Sequence, residues 1–235
     1  IPANQVPAVK NPAQGFVVSA NQNSTDPSYP YYYNGDFLDY RGRIINRTLR
    51  GNDSLTIQDM EQLQLLSKSI LPEETMHAIK MRCDSNALSP EAKKIYQTLT
   101  QWDFNYKSTS SVPIIYDQFE KALLANILDE IPRNNDKIPT IDPENWRINK
   151  LIAEVPNDII FDIKSTPARE NAQNIITKTL ESMPVTMDSL RKVFPIFDWG
   201  HYKPLKIQHM AKLPGFGHSD LALDGTTTAP NAIGT

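Results

Sequence analysis

The chain has 235 residues with 24 Lys and Arg against 27 Asp and Glu, a formal net charge of −3. That balance gives no general attraction to nucleic acid or to an anionic membrane. Its 40% hydrophobic and 22% charged residues exclude wholesale disorder, and no stretch approaches the ~18 uninterrupted apolar residues of a membrane span. The single cysteine, Cys83, excludes an internal disulfide framework. Proline is frequent at 18 and glycine scarce at 9, which points to helices joined by stiff connections rather than to a hairpin-rich β domain. The sequence opens at Ile1 without methionine or signal peptide, and reads as a processed or excised piece.

Residues 1–14 (IPANQVPAVKNPAQ) carry three prolines and no periodicity, so they read as an extended arm. Residues 15–20 (GFVVSA) are the best strand candidate. A polar, tyrosine-rich loop follows to Asp36, with Tyr29, Tyr31, Tyr32 and Tyr33 asking for partial burial. From residue 37 the pattern turns helical: Phe37, Tyr40, Ile44, Ile45 and Leu49 recur at the three and four spacing of one buried face. Thr56 with Asp59 predicts a helix start; Met60, Leu63, Leu66 and Ile70 continue as a stripe, with a break or new turn at Pro72. Ser89-Pro90-Glu91 marks another start, and 114–131 another helix, ended before Pro132. Residues 132–145 read as a connection and 146–153 as a short helix. A long helix is expected from 165–170 to about Met183, and a separate one over 187–194. The tail after Asp198 is irregular, with Thr226-Thr227-Thr228 as a strand remnant. The expectation is a mainly α chain, a helical cluster with short β pieces at its ends. It divides into 1–50 (strand, loop, first helix), 51–195 (helical) and 196–235 (irregular tail).

The chemistry-bearing residues are few. Cys83 has no histidine partner nearby and reads as a small hydrophobe. There is no Gly-x-Ser-x-Gly elbow, P-loop or dinucleotide glycine pattern. His201, His209, His218 and Asp220 cluster in sequence, but a metal site wants tighter spacing, and packing histidines are the commoner reading. Asn-x-Ser/Thr triplets at Asn23, Asn46 and Asn52 arise often by chance. The segment Ala20-Asn21-Gln22-Asn23 delivers carboxamides onto a loop tip. A primary amide there is either a neutral donor for a developing oxyanion or an Asx-turn asparagine. Arg41 and Arg43 stand two residues apart on the next helix and so diverge: one can reach back to the loop, the other pair with Asp36 or Asp39, or lie in solvent.

Residues 11–22 (NPAQGFVVSANQ), then Tyr29-Pro30 and Tyr40-Arg-Gly-Arg-Ile44, resemble the penicillin acylase (penicillin amidase) family. The resemblance continues through 56–64, Leu99-Thr-Gln-Trp-Asp103, 111–128, Asp198-Trp-Gly-His201, His209 and Asp224 to Asn231. It implies an N-terminal-nucleophile hydrolase with an αββα sandwich. In such an enzyme a serine freed by self-cleavage attacks an amide carbonyl, with its own α-amino group as base. By the same resemblance Asn21 is the side-chain half of the oxyanion hole and Arg43 the orienting arginine. The chain corresponds to a middle portion of the β chain. Its partners are then the α chain, the remaining β-chain sheet and an N-acyl amide substrate: a β-lactam side chain, an acyl-homoserine lactone or a similar compound. The attacking serine lies outside these residues, so the chain alone should be inert. The loop tyrosines Tyr31, Tyr32 and Tyr33 then border the acyl pocket. No cofactor is expected; calcium in the parent is an open alternative, to which Asn34 and Asp36 would give one or two oxygens of the six to eight needed. The resemblance also implies a periplasmic or secreted location. The rival reading is a non-enzymatic helical module that binds a ligand or partner through an exposed groove.

Overall fold

A computed structural model describes residues 1–32, 37–129, 143–213 and 215–233. Among these residues it is mainly α, as the helical periodicity predicts, with eight α-helices and one two-stranded sheet. Helix α1 spans Tyr40–Arg50 and α2 Ile57–Gln64. Thr56 and Asp59 close a reciprocal cap on α2: the Asp59 N–H donates to Thr56 Oγ1 at 3.2 Å and the Thr56 N–H to Asp59 Oδ2 at 2.8 Å. Helix α3 is Ile70–Arg82 and α4 Pro90–Gln101, where Ser89 accepts from the Ala92 N–H at 3.3 Å and Pro90 fills the first turn. Helices α5 (Val112–Ile127) and α6 (Asn145–Glu154) follow, then α7 (Ala172–Val193) and the short α8 (Trp199–Tyr202).

Four expectations are corrected. Residues 15–20 are not a strand. They run extended, with Phe16, Val18 and Ala20 turned inward and Val17 and Ser19 outward, but no strand among the described residues pairs with them, as a ladder requires. Residues 226–228 are likewise no strand: the Ala229 N–H closes a turn onto the Thr226 carbonyl at 3.0 Å. The sheet lies elsewhere, where β1 (Leu205–Ile207) pairs antiparallel with β2 (His218–Leu221). Third, the two helices expected around 165–194 are one. It starts at an Asn171–Asn174 capping box, not at 165–170, and runs through Pro184. Tertiary packing carries it past the proline, because Met183 and Met187 on either side are both buried. Fourth, α2 lies at the margin, with only Leu63 buried among its residues. The stripe breaks at 66–69 because that segment gains sheet-like partners: Ser69 N–H donates to Phe104 O at 3.0 Å and Tyr106 N–H to Ser67 O at 3.0 Å. The expected connection over 132–145 falls, for residues 132–142, outside the described residues.

The core forms where α7 packs on α4 and α5, and α3 on α6. Ile175, Ile176, Leu180 and Met183 of α7 are fully shielded there. Each such side chain contributes roughly 1.5–3 kcal/mol relative to exposure. Trp102 anchors an aromatic chain, with Tyr106 at 5.1 Å and Tyr116 at 5.7 Å; Tyr106 in turn meets Trp199 at 5.0 Å. A second small cluster, Tyr40, Ile44, Ile70 and Leu71, fastens α1 onto α3. The C-terminal tail is pinned across both regions. Gly225 N–H donates to Tyr106 O at 2.8 Å, and Asn231 N–H to Leu66 O at 3.0 Å. No helix is long and apolar enough to cross a membrane among the described residues.

Candidate active site

The extended segment before Asn21 is fixed by its neighbour. Gln22 folds back so that its Oε1 accepts from the Ala20 N–H at 2.6 Å and its Nε2 donates to the Val18 carbonyl at 2.5 Å. That folded side chain lies on Gly42 of α1; a Cβ at Gly42 would stand 2.8 Å from Gln22 Oε1 and 3.3 Å from Gln22 Cβ. Glycine is what permits this approach. Asn21 itself sits in the left-handed region at φ +62°, a conformation asparagine tolerates better than most residues. Its Oδ1 accepts a hydrogen bond from Arg41 Nη2. The Asx turn of this segment is made by Asn23, whose Oδ1 accepts from the Thr25 N–H at 3.0 Å.

Asn21 and Arg41 line a small cavity of about 70 Å³ together with Leu38, Tyr40, Thr227 and Thr228. Thr228 reaches it because its hydroxyl meets that of Ser69 at 2.7 Å. Three segments distant in sequence therefore converge here: the loop tip, the first turn of α1 and the pinned tail.

Arg43 faces elsewhere, as a two-residue offset on a helix requires. Its Nε donates to Asp39 Oδ1 at 2.9 Å and Nη2 to Glu74 Oε2 at 3.1 Å, with Nη1 on Glu74 Oε1 as well. The hydrogen bonds that it donates to Glu74 raise its pKa above the ordinary arginine value. Its guanidinium also lies 5.1 Å from the Tyr40 ring centroid. This group borders a second, larger cleft of about 420 Å³ with Phe37, Leu38, Trp146 and Tyr40. Tyr40, 3% exposed, borders both spaces, as Leu38 does. Burial first, then the Glu74 carboxylate, pushes its phenol up to about 12, so it stays protonated.

The remaining site candidates are dispersed. Tyr31 donates to Gln5 Oε1 and packs edge-on against Tyr29 at 5.7 Å, serving the N-terminal arm. Tyr32 is 90% exposed. Tyr33, Asn34 and Asp36 lie outside the described residues. His201 Nδ1 pairs with Asp198 Oδ1 at 2.7 Å, while His209 faces Phe216 at 5.6 Å. No group of three or more His, Cys, Asp or Glu side chains suited to a metal ion occurs among the described residues. Cys83 is half-buried at the end of α3, and burial pushes its thiol up to about 11. Sequence reasoning missed Glu74, which stands 31 residues from Arg43 with no motif to join them.

The model of the penicillin amidase family matches residues 1–235, the whole chain, and the chain belongs to that family. Penicillin amidases are N-terminal-nucleophile hydrolases that cleave acyl amides.

Proposed function

We propose that this chain supplies the oxyanion side of the active site of a penicillin amidase-type hydrolase, with Asn21 as the side-chain donor. The observation that carries this reading is the placement of the Asn21 carboxamide at a small cavity, on a backbone held by Gln22 and Gly42. In the reaction a serine hydroxyl from outside residues 1–235 attacks the amide carbonyl. Its proton passes through the serine's own α-amino group to the leaving amine as the C–N bond breaks, and water then hydrolyses the acyl-enzyme. Asn21 Nδ2 donates to the oxygen that gains charge as the carbonyl becomes tetrahedral. Arg43, tied to Asp39 and Glu74, keeps the first turn of α1 in register beside it. The reading calls on no cofactor. It assigns the α chain and the remaining β-chain sheet as partners, an N-acyl amide as substrate, and a periplasmic or exported location.

The test is kcat/KM for Asn21→Ala and Asn21→Asp in the full-length, self-processed enzyme, alongside melting temperature and extent of precursor cleavage. Loss of one oxyanion donor typically costs ~10²–10³-fold in kcat, and a carboxylate should be worse because it adds charge where charge develops. Processed, stable variants within about threefold of the parent would overturn the assignment. Residues 1–235 alone should release no product from an N-acyl anilide.

A further inference from the structure

We propose that the loop joining β1 to β2 is a docking surface for an anionic lipid bilayer, with Lys206 and Lys212 meeting headgroup phosphates and Met210 and Phe216 entering the acyl boundary. It stands apart from the role of Asn21, because the cavity at this loop shares no residue with the one beside Asn21.

The near-even charge of the whole chain hides a local excess. Between Asp198 and Asp220 the sequence has no acidic residue, yet it carries Lys203, Lys206 and Lys212 with His201, His209 and His218. Lys203 is engaged within the fold by Asp117 Oδ1 at 2.8 Å, and His201 by Asp198. Lys206 and Lys212 form no salt bridge among the described residues. Together with His209, His218 and Ser219 they line an open cavity of about 380 Å³, which no carboxylate borders among the described residues. His209 Nδ1 accepts from the Ala211 N–H at 3.3 Å, which leaves the proton of the neutral ring on Nε2 as a donor. Such a lining takes an anion.

The loop is folded rather than extended. The Lys212 N–H closes a turn onto His209 O at 2.7 Å, and the Phe216 N–H another onto Leu213 O at 3.4 Å. Gly217 then returns so close to β1 that a Cβ there would stand 2.8 Å from the Ile207 carbonyl oxygen. At the base, a Cβ at Gly200 of α8 would lie 2.6 Å from Ala222 Cβ, so the chain just after β2 is held against the body. These turns leave Met210 fully exposed and Phe216 71% exposed. The His209 ring against Phe216 at 5.6 Å joins the polar cavity to this apolar rim. Large apolar side chains bare to water beside unpaired lysines mark an interaction surface. A protein partner of standard size needs ~800 Å² on each side, more than one loop offers. A bilayer takes side chains singly at its boundary, where an apolar and a basic contact together supply the two signals that stable anchoring requires.

Cosedimentation of the full-length, self-processed enzyme with vesicles tests this. Vesicles of phosphatidylglycerol and phosphatidylcholine in equal parts should bind it at least ~10-fold more tightly than phosphatidylcholine alone. Binding should fall as sodium chloride rises from about 0.05 to about 0.5 M. Lys206→Ala/Lys212→Ala should weaken it roughly 20-fold, at about fivefold per lysine, and Met210→Ser/Phe216→Ser by ~10-fold or more. Melting temperatures within about two degrees of the parent show that the variants are folded; the comparison of vesicle compositions needs no variant. Equal binding to both vesicle types, binding to neither, or parent-like binding by either double variant would overturn the proposal. So would calorimetric binding of inorganic phosphate without vesicle binding, which marks a site for a free anion. Capture of polyglutamate in place of vesicles would overturn it too, in favour of an acidic protein partner.

Discussion

The hydroxyls of Ser69 and Thr228 meet at 2.7 Å although 159 residues separate them in the chain. Ser69 is fully buried and is also the N-cap of α3, accepting from the Leu71 N–H at 3.3 Å. One side chain thus starts a helix and fastens the tail that closes the cavity beside Asn21. Ser69→Ala should cost about 1–2 kcal/mol, the cap and the tail contact being lost together. Thr228→Val keeps the shape and the cap and should cost less than about 1 kcal/mol. Chemical denaturation of the two variants separates the contributions; equal losses would mean that the cap contributes nothing.

Gly225 makes the same fastening possible from the backbone side. It sits at φ +119°, and a Cβ there would lie 2.2 Å from the Asn231 carbonyl oxygen. That oxygen is fixed backbone and the conformation is strained for any L side chain, so the clash is not relieved by a rotamer change. Gly225→Ala should destabilise by more than about 2 kcal/mol and expose the tail beyond residue 224 to proteolysis. A melting temperature and a cleavage pattern matching the parent would show that the turn repacks freely.

The carboxyl of Glu120 offers a pH-dependent test. It accepts from Tyr116 Oη at 2.9 Å and from Asn145 Nδ2 at 2.9 Å. Asp117, Lys121 and Lys203 act on it through space, and the phenols of Tyr40 and Tyr106 lie within its field. Burial dominates and raises its pKa above the ordinary 4.5. A raised carboxyl pKa means that the fold favours the protonated form, so its stabilising effect is full below the ordinary value and is lost as pH rises through the raised one. Asp117 has the opposite sign. Burial opposes its charge, but hydrogen bonds from Lys121, Lys203 and Tyr202 outweigh it and lower its pKa, so its contribution is lost as pH falls. Glu120→Gln keeps an oxygen for both donors and cannot ionise. The melting-temperature difference between Glu120→Gln and parent should therefore grow in the variant's favour from below pH 4.5 toward neutrality. Parallel profiles would show that Glu120 ionises in the fold at no cost.

The helix starts were legible because their causes are local. Thr56 with Asp59 and Ser89 with Pro90 each satisfy amides within one turn, and neighbouring sequence contains all the partners. The divergence of Arg41 and Arg43 was legible for the same reason, from helical geometry alone. What could not be read depends on distant partners. Residues 15–20 have strand composition, but no composition reveals whether a neighbouring strand exists. Pro184 reads as a stop, yet burial of Met183 and Met187 carries α7 through it. Glu74 joins Arg43 only because the cluster of Tyr40, Ile44, Ile70 and Leu71 lays α1 on α3. In the candidate site, Asn21 was named from the family resemblance, whereas its contact with Arg41 and its closeness to Thr227 and Thr228 required the folded chain.

Cys83 has a practical consequence. With its thiol pushed up to about 11, only about one molecule in ten thousand carries the thiolate at neutral pH, against a few per cent for an exposed cysteine. The protein therefore brings a nearly silent background to thiol labelling. A maleimide dye or nitroxide placed at Tyr32→Cys, at a side chain 90% exposed, would react far ahead of it. Such a probe would report on the segment that follows Asn21, through Tyr29 and Tyr31, without first removing the native cysteine.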